Sequence, residues 1–247
     1  MNVTTPCEMI RVFIGYDDRQ AISYQVAAAS FALAAQKQPI SITPIKLETL
    51  PLKRQGLTPF TWSRFLVPWM CNFQGRALFV DADVACLQDP WLLYEEAEDP
   101  TKAVWAVNTN PQFERAAVML FNCGHPDNAV LTPEYVETAN GLHQLRWTEN
   151  IGWLQNKWNH LVGYDKPDPT PGIVHYTMGV PCWPQTSDCE HSDLWFLVHK
   201  AMNSAQPWEN IMGNSVHNGK DDNGNVVPLY KATRNLQGEA LDASPAA

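Results

Sequence analysis

Apolar residues along the chain cluster in short runs separated by polar, Gly- and Pro-bearing segments, and the spacing within the runs switches between strand-like and helix-like. Arg11 to Gly15 is a run of strand length, and the Gly15-Tyr16-Asp17-Asp18 turn leads into a helix expected from about Gln20 to Gln36. Within it Ile22, Val26, Ala29 and Leu33 form one stripe suited to packing on a sheet. A second strand is expected over Ile40 to Leu47, a helix over Trp62 to Met70 and a third strand over Ala77 to Val84. This β-α-β-α-β order predicts an α/β fold with a mainly parallel central sheet flanked by helices, where ligands bind beyond the carboxyl ends of the strands.

Further along, Asp89-Pro90 has the form of an N-cap followed by Pro at the first helical position, starting a helix through about Glu98. Ala103–Val107 and Ala116–Phe121 read as strands and Thr132-Pro133 as another helix start. Ser187-x-x-Glu190 resembles a capping box before a helix whose apolar face would hold Leu194, Leu197, Val198 and Ala201. Past about Gln206 the chain turns rich in Gly, Asn and Asp, so one domain is expected over 8–205 with an irregular extension over 206–247. Asp221-Asp222-Asn223-Gly224-Asn225 is not an EF-hand loop, because the position that requires Gly falls on Val226.

The third strand ends in Asp81-Ala82-Asp83, and strand alternation would direct both carboxylates to one side. Two such groups at the end of a buried element repel each other, and a Mn²⁺ or Mg²⁺ ion with a substrate phosphate restores the charge balance. His175, where Ile173-Val174 runs into a Gly/Pro turn, is a candidate third ligand. Cys182, Cys189 and His191 lack a Cys-x-x-Cys pair and make a weak zinc motif. The formal net charge of −9 argues against a broad nucleic-acid footprint but allows a nucleotide-sized ligand held through a metal ion. The beginning of the chain has no basic stretch followed by an apolar run, and no segment has the length of a transmembrane helix. A cytoplasmic protein with reduced, scattered cysteines is therefore expected.

Several segments recur in a familiar order: Ile14-Gly15-Tyr16-Asp17, Thr61-Trp62-Ser63-Arg64-Phe65, Leu78 to Val84, Met119-Leu120-Phe121-Asn122-Cys123-Gly124, Lys157-Trp158-Asn159 and His175 to Trp183. Together they resemble the GT-A class of nucleotide-sugar glycosyltransferases, in particular glycosyltransferase family eight, over about residues 10 to 200. That family includes glycogenin and bacterial lipopolysaccharide galactosyltransferases. One element departs from the pattern. The family's closing His-x-x-Gly-x-x-Lys-Pro-Trp is not reproduced, because Gly179 is displaced by one position and no Lys precedes a Pro-Trp pair.

The resemblance implies a retaining, metal-dependent transfer of a hexose from a nucleoside-diphosphate sugar, of the UDP type, to a hydroxyl of a carbohydrate or other acceptor. It implies that Asp83 and His175 ligate Mn²⁺ or Mg²⁺, with Asp81 bonding the metal or the donor ribose. Tyr16 would stack on the base with Asp17 beside it, and Arg64 would hold Asp81 or the diphosphate. Glu149 would be the acidic loop residue facing the reacting sugar, and Asn122 a contact to its hydroxyls. Two other readings stay open. A haloacid-dehalogenase-like phosphohydrolase would use Asp81 as nucleophile and Asp83 as acid/base, but the later acidic pair it needs is found only at Asp221-Asp222, after no strand pattern. A carbohydrate-binding protein would use the tryptophans and leave the paired aspartates unexplained.

Overall fold

Residues of successive strands alternate between two apolar layers. Val12, Ile14, Leu78, Val80, Val118 and Leu120 pack in one layer with Ala27 and Phe31, whereas Phe13, Ala77, Phe79, Met119 and Phe121 pack in the other with Phe65, Leu66 and Val67. A sheet covered on both faces buries both sets, which is why its strands read as continuous apolar runs. The computed structural model describes residues 8–202, 218–228 and 231–241. Cys7 and the expected boundary at 205/206 lie outside the described residues.

The chain divides into two compact units, Met1–Met202 and Asn203–Ala247. The first carries strands β1 (Ile10–Gly15), β2 (Ile40–Ile45), β3 (Arg76–Val80), β4 (Val84–Cys86), β5 (Val104–Val107), β6 (Val118–Asn122), β7 (Ile151–Leu154), β8 (His160–Leu161) and β9 (Ile173–His175). Its helices are α1 (Ala21–Ala34), α2 (Phe60–Ser63), α3 (Val67–Met70), α4 (Trp91–Glu96), α5 (Pro133–Thr138) and α6 (Ser192–Met202). The central sheet has the order β2-β1-β3-β6-β5-β7. Its strands are parallel except β6, which runs antiparallel to β3 and β5. A smaller sheet, β4-β9-β8, stands apart from it. In the second unit β10 (Asn218–Lys220) and β11 (Val226–Pro228) form an antiparallel hairpin. Among the described residues no helix is long and apolar enough to cross a membrane.

The expected elements are mostly present, with shifts that have local causes. The face of α1 that is buried holds Ser23, Val26, Ala27, Ser30 and Phe31, while Leu33 is exposed. Ser30 is tolerated there because its hydroxyl donates to Ala27 O at 2.7 Å and accepts from Cys86 N at 2.9 Å. The single helix expected over Trp62 to Met70 is instead two short α-turns joined by a 3-10 turn at Arg64–Leu66, with Pro68 in the first turn of the second. Ser187 makes no capping box: its hydroxyl donates to Pro184 O, and α6 starts only at Ser192. That helix is anchored by Trp195, flanked by Val198 and Met202, and exposes Leu197.

Candidate active site

The strand that carries the aspartates ends before them. β3 stops at Val80, Asp81 N donates to Ala117 O at 2.9 Å, and Asp81-Ala82-Asp83 turns the chain into β4. Their convergence therefore comes from a turn, not from strand alternation. The small sheet then delivers the histidine: Val84 pairs with His175, and Tyr176 N donates to Asp83 O at 2.9 Å. Asp83 Oδ1 lies 3.3 Å from His175 Nε2, and ligand atoms of Asp81, Asp83 and His175 all lie within 4.8 Å of one another. The three side chains line a cavity of about 430 Å³ at the carboxyl edge of β3.

Charge in this cluster is closely balanced. Arg64 Nη1 is 2.8 Å from Asp81 Oδ1, and both side chains are largely buried. That oxygen has no aligned hydrogen-bond donor. Burial pushes the Asp81 carboxyl up to about 7; Arg64 opposes the shift and Asp83 adds to it. At Asp83 burial also works against ionisation, but the charge and hydrogen bond of His175 outweigh it and hold the carboxyl below its ordinary range. Burial disfavours a charge on His175, yet Asp83 reverses this and pushes the imidazole up to about 9. A proton on His175 thus supplies the positive charge that two facing carboxylates require. Two carboxylate oxygens and an imidazole are equally a donor set for Mn²⁺ or Mg²⁺, and the incompletely satisfied Asp81 oxygen fits that use.

A supporting layer fixes the histidine. Asn159 Nδ2 donates to Glu114 O at 2.9 Å, which leaves Asn159 Oδ1 to accept from His175 Nδ1 at 3.0 Å. Nε2 is therefore the nitrogen turned toward Asp83. Glu114 is itself buried, accepts from the Thr177 hydroxyl at 2.8 Å and stands 3.9 Å from His175 Nδ1.

The other residues singled out in the sequence are distributed unevenly. Arg64 lies at the cluster, where Nη1 also donates to Ala116 O at 2.8 Å and Nε to Phe60 O at 3.2 Å. Asp17 is buried and bound to the backbone and guanidinium of Arg19, which holds its carboxyl below the ordinary range. Tyr16 carries Lys46 Nζ 4.2 Å above its ring. Arg19 lines a neighbouring cavity of about 560 Å³ that shares Leu57 and Thr58 with the aspartate cavity. Asn122 does not join them. Antiparallel β6 sets it opposite Arg76, at the edge of the sheet away from Asp81, where its amide donates to Pro100 O at 3.2 Å. Glu149 is exposed in the loop before β7 and lines neither cavity.

Glu114, Phe113, His143 and Tyr164 line the aspartate cavity without having been recognised in the sequence. Glu114 and Phe113 fall in a 3-10 turn, Gln112–Ala117, whose pattern carries no motif. Asn159 was within reach, since it lies in the Lys157-Trp158-Asn159 segment.

No protein-family model matches the chain. Protein CDI of Arabidopsis thaliana is 37% identical over 220 residues, covering 75% of this chain and 84% of that protein. Among solved structures, the apo WbbM bifunctional glycosyltransferase superposes with a TM-score of 0.63 at 15% identity, covering 86% of this chain and 52% of its own. Apo GlyE of Streptococcus pneumoniae gives 0.57 at 18% identity, covering 83% and 62%. The galactosyltransferase LgtC, solved with donor and acceptor sugar analogs, gives 0.54 at 13% identity, covering 81% and 98%. The chain thus spans about half of WbbM and less than two thirds of GlyE. At these identities the likeness is one of fold, and that fold is the α/β architecture of the GT-A glycosyltransferases.

Proposed function

The chain belongs to the family of Protein CDI, and from that premise and its GT-A fold we propose that it is a metal-dependent glycosyltransferase of the family-eight type. It transfers a hexose, with retention, from a UDP-sugar or related nucleoside-diphosphate sugar to a hydroxyl acceptor. One observation carries the reading: Asp81, Asp83 and His175 converge within 4.8 Å on a cavity at the carboxyl edge of the sheet. LgtC, which shares the fold, was solved with donor and acceptor sugar analogs, in keeping with a site that takes both.

Asp83 and His175 would hold Mn²⁺ or Mg²⁺, with Asp81 beside them. When bound, the ion supplies Lewis-acid stabilisation of the departing diphosphate. Arg64 favours the ionised form of Asp81 against its burial, and Asn159 presents His175 Nε2 to the site. We assign the donor nucleotide to the adjoining cavity, where Lys53 offers positive charge in place of the absent motif lysine, beside Glu48 and an Arg19 already paired with Asp17. Glu114, a carboxylate on the aspartate cavity, is the group we assign to the reacting sugar. The half-exposed rings of Phe113 and Tyr164 are suited to stacking on an acceptor sugar. The reading keeps residues 206–247 as an extension to the catalytic domain and a cytoplasmic setting, consistent with the free thiols of Cys71, Cys86 and Cys123.

The test is thermal unfolding with Mn²⁺ and a panel of nucleoside diphosphates, followed by sugar-transfer assays with the matching donor. A ligand at a hundred times its Kd adds about 2.7 kcal/mol of stability, enough for a clear Tm shift. The expected result is a shift with one diphosphate that needs Mn²⁺ and is lost in Asp83→Ala, and a transfer rate roughly a thousandfold lower without divalent cation. No shift with any nucleotide, together with binding of free sugars, would overturn the assignment.

A further inference from the structure

A second cluster of metal-ligating side chains lies apart from the aspartates, between the small sheet and the start of α6. His160 sits in β8 and is buried. Its Nε2 is 3.1 Å from Glu190 Oε2, and the other oxygen of Glu190 is 3.2 Å from His191 Nε2. Ligand atoms of all three lie within 4.8 Å of one another. We propose that His160, Glu190 and His191 form a structural Zn²⁺ site that fastens the segment ahead of α6 to β8. The proposal is independent of the glycosyltransferase reading.

Geometry and donor chemistry both favour this ion. Zinc bonds to imidazole nitrogen and carboxylate oxygen of about 2.0–2.2 Å imply tetrahedral edges of about 3.3–3.6 Å. The observed 3.1 and 3.2 Å separations run to the two different oxygens of Glu190, so binding through one of them needs the carboxylate to turn between imidazoles whose ligand atoms, with its own, already lie within 4.8 Å of one another. Asp168 O, 2.8 Å from His191 Nε2, is the nearest oxygen for the fourth position. Two imidazoles with one carboxylate suit Zn²⁺ better than Mg²⁺ or Mn²⁺, which prefer oxygen.

A carboxylate stands near the other ring nitrogen of His160: Asp165 Oδ2 is 3.9 Å from Nδ1, within reach of a hydrogen bond after a shift of under about 1 Å, and is held by Leu161 N at 2.8 Å and Asn156 Nδ2 at 3.2 Å. Binding would displace the proton that His191 Nε2 now donates to Asp168 O. His191 has a left-handed φ of 57°, which a non-glycine residue seldom adopts, and this directs its ring to within 5.9 Å of the His160 ring. The consequence reaches the first site: Leu161 pairs with His175 across β8 and β9, so an ion on His160 would also steady the strand that carries His175.

The experiment uses the full, tag-free chain carrying Asp83→Ala, which removes the first metal site, after treatment with a chelator. Zn²⁺ alone is titrated in, and bound metal per chain, Tm and the visible spectrum of the Co²⁺-loaded form are measured. The proposal expects one Zn²⁺ per chain, a raised Tm and the strong visible absorption of tetrahedral Co²⁺. Adding Glu190→Gln, close in shape to the original, should weaken Zn²⁺ binding at least tenfold, and adding His191→Ala should abolish it. Absence of stoichiometric Zn²⁺ in the Asp83→Ala chain, or binding undiminished by both further substitutions, would overturn it.

Discussion

Arg64→Met tests whether the charge balance of the aspartate pair holds the fold together at this point. Arg64 and Asp81 are 7% and 13% exposed at the side chain and 2.8 Å apart. At an effective dielectric constant of about 20 that separation corresponds to roughly 6 kcal/mol of attraction, much of it offset by desolvation of both groups. Removing the cation leaves Asp81 facing Asp83 and Glu114, and strips donors from Ala116 O and Phe60 O. Breaking a buried pair in this way typically costs about 3–5 kcal/mol, a large share of a stability of about 5–15 kcal/mol. The assay is urea unfolding at pH 8, above the value of about 7 that Asp81 has beside Arg64, with divalent cations removed; without Arg64 that value rises, so part of the cost is met by uptake of a proton. In an Asp81→Asn background the same substitution should cost at least about 1 kcal/mol less, since no buried anion is orphaned. Equal costs in both backgrounds would refute the electrostatic account and leave the hydrogen bonds to Ala116 O and Phe60 O and the packing of the guanidinium on Phe60 and Phe79.

Three further outcomes are expected. Asn159→Leu should lower Mn²⁺ affinity about 10- to 100-fold in calorimetric titration, because His175 loses the acceptor that fixes its Nδ1; Asn159→Asp, which keeps an acceptor, should lose less. His143, packed edge-on against Trp62 and Phe65, has its pKa pushed down to about 4, first by burial and then by Arg64 and Arg54. Its neutral form is the folded form, so the associated stability is complete above the ordinary value of about 6.5 and is lost as pH falls from there toward about 4; the loss is about 3 kcal/mol. Unfolding measured between pH 7 and pH 4 should show that part of the acid sensitivity disappear in His143→Phe. Gly172→Ala places a methyl group 2.4 Å from the ring of buried Trp158, and should cost about 1–3 kcal/mol in denaturant unfolding.

Much of the fold was legible because its signals are local. Apolar runs, a Pro after Asp89 and a Thr-Pro start at Thr132 depend on neighbours a few residues away, and the corresponding elements are present. Where a side chain's partner is distant in sequence, local periodicity misdirects. Ser30 is inside and Leu33 outside because the Ser30 hydroxyl meets Cys86 N from another element. Glu190 looks like the end of a capping box, yet its carboxylate is committed to His160.

The sequence by itself determined an α/β chain, a pair of aspartates at the end of a buried strand and a histidine at the end of another, because residue type and strand length are written locally. Only the tertiary structure decided that a turn, not an alternating strand, brings Asp81 and Asp83 together, and that β4 and β9 pair to set His175 against them. The direction of β6 has the same status. Nothing in Val118–Asn122 says that it runs against β3, yet that reversal sets Asn122 at the edge of the sheet away from Asp81. Strand order and direction are fixed by burying both faces of the sheet at once, a condition on the whole chain that no short segment contains.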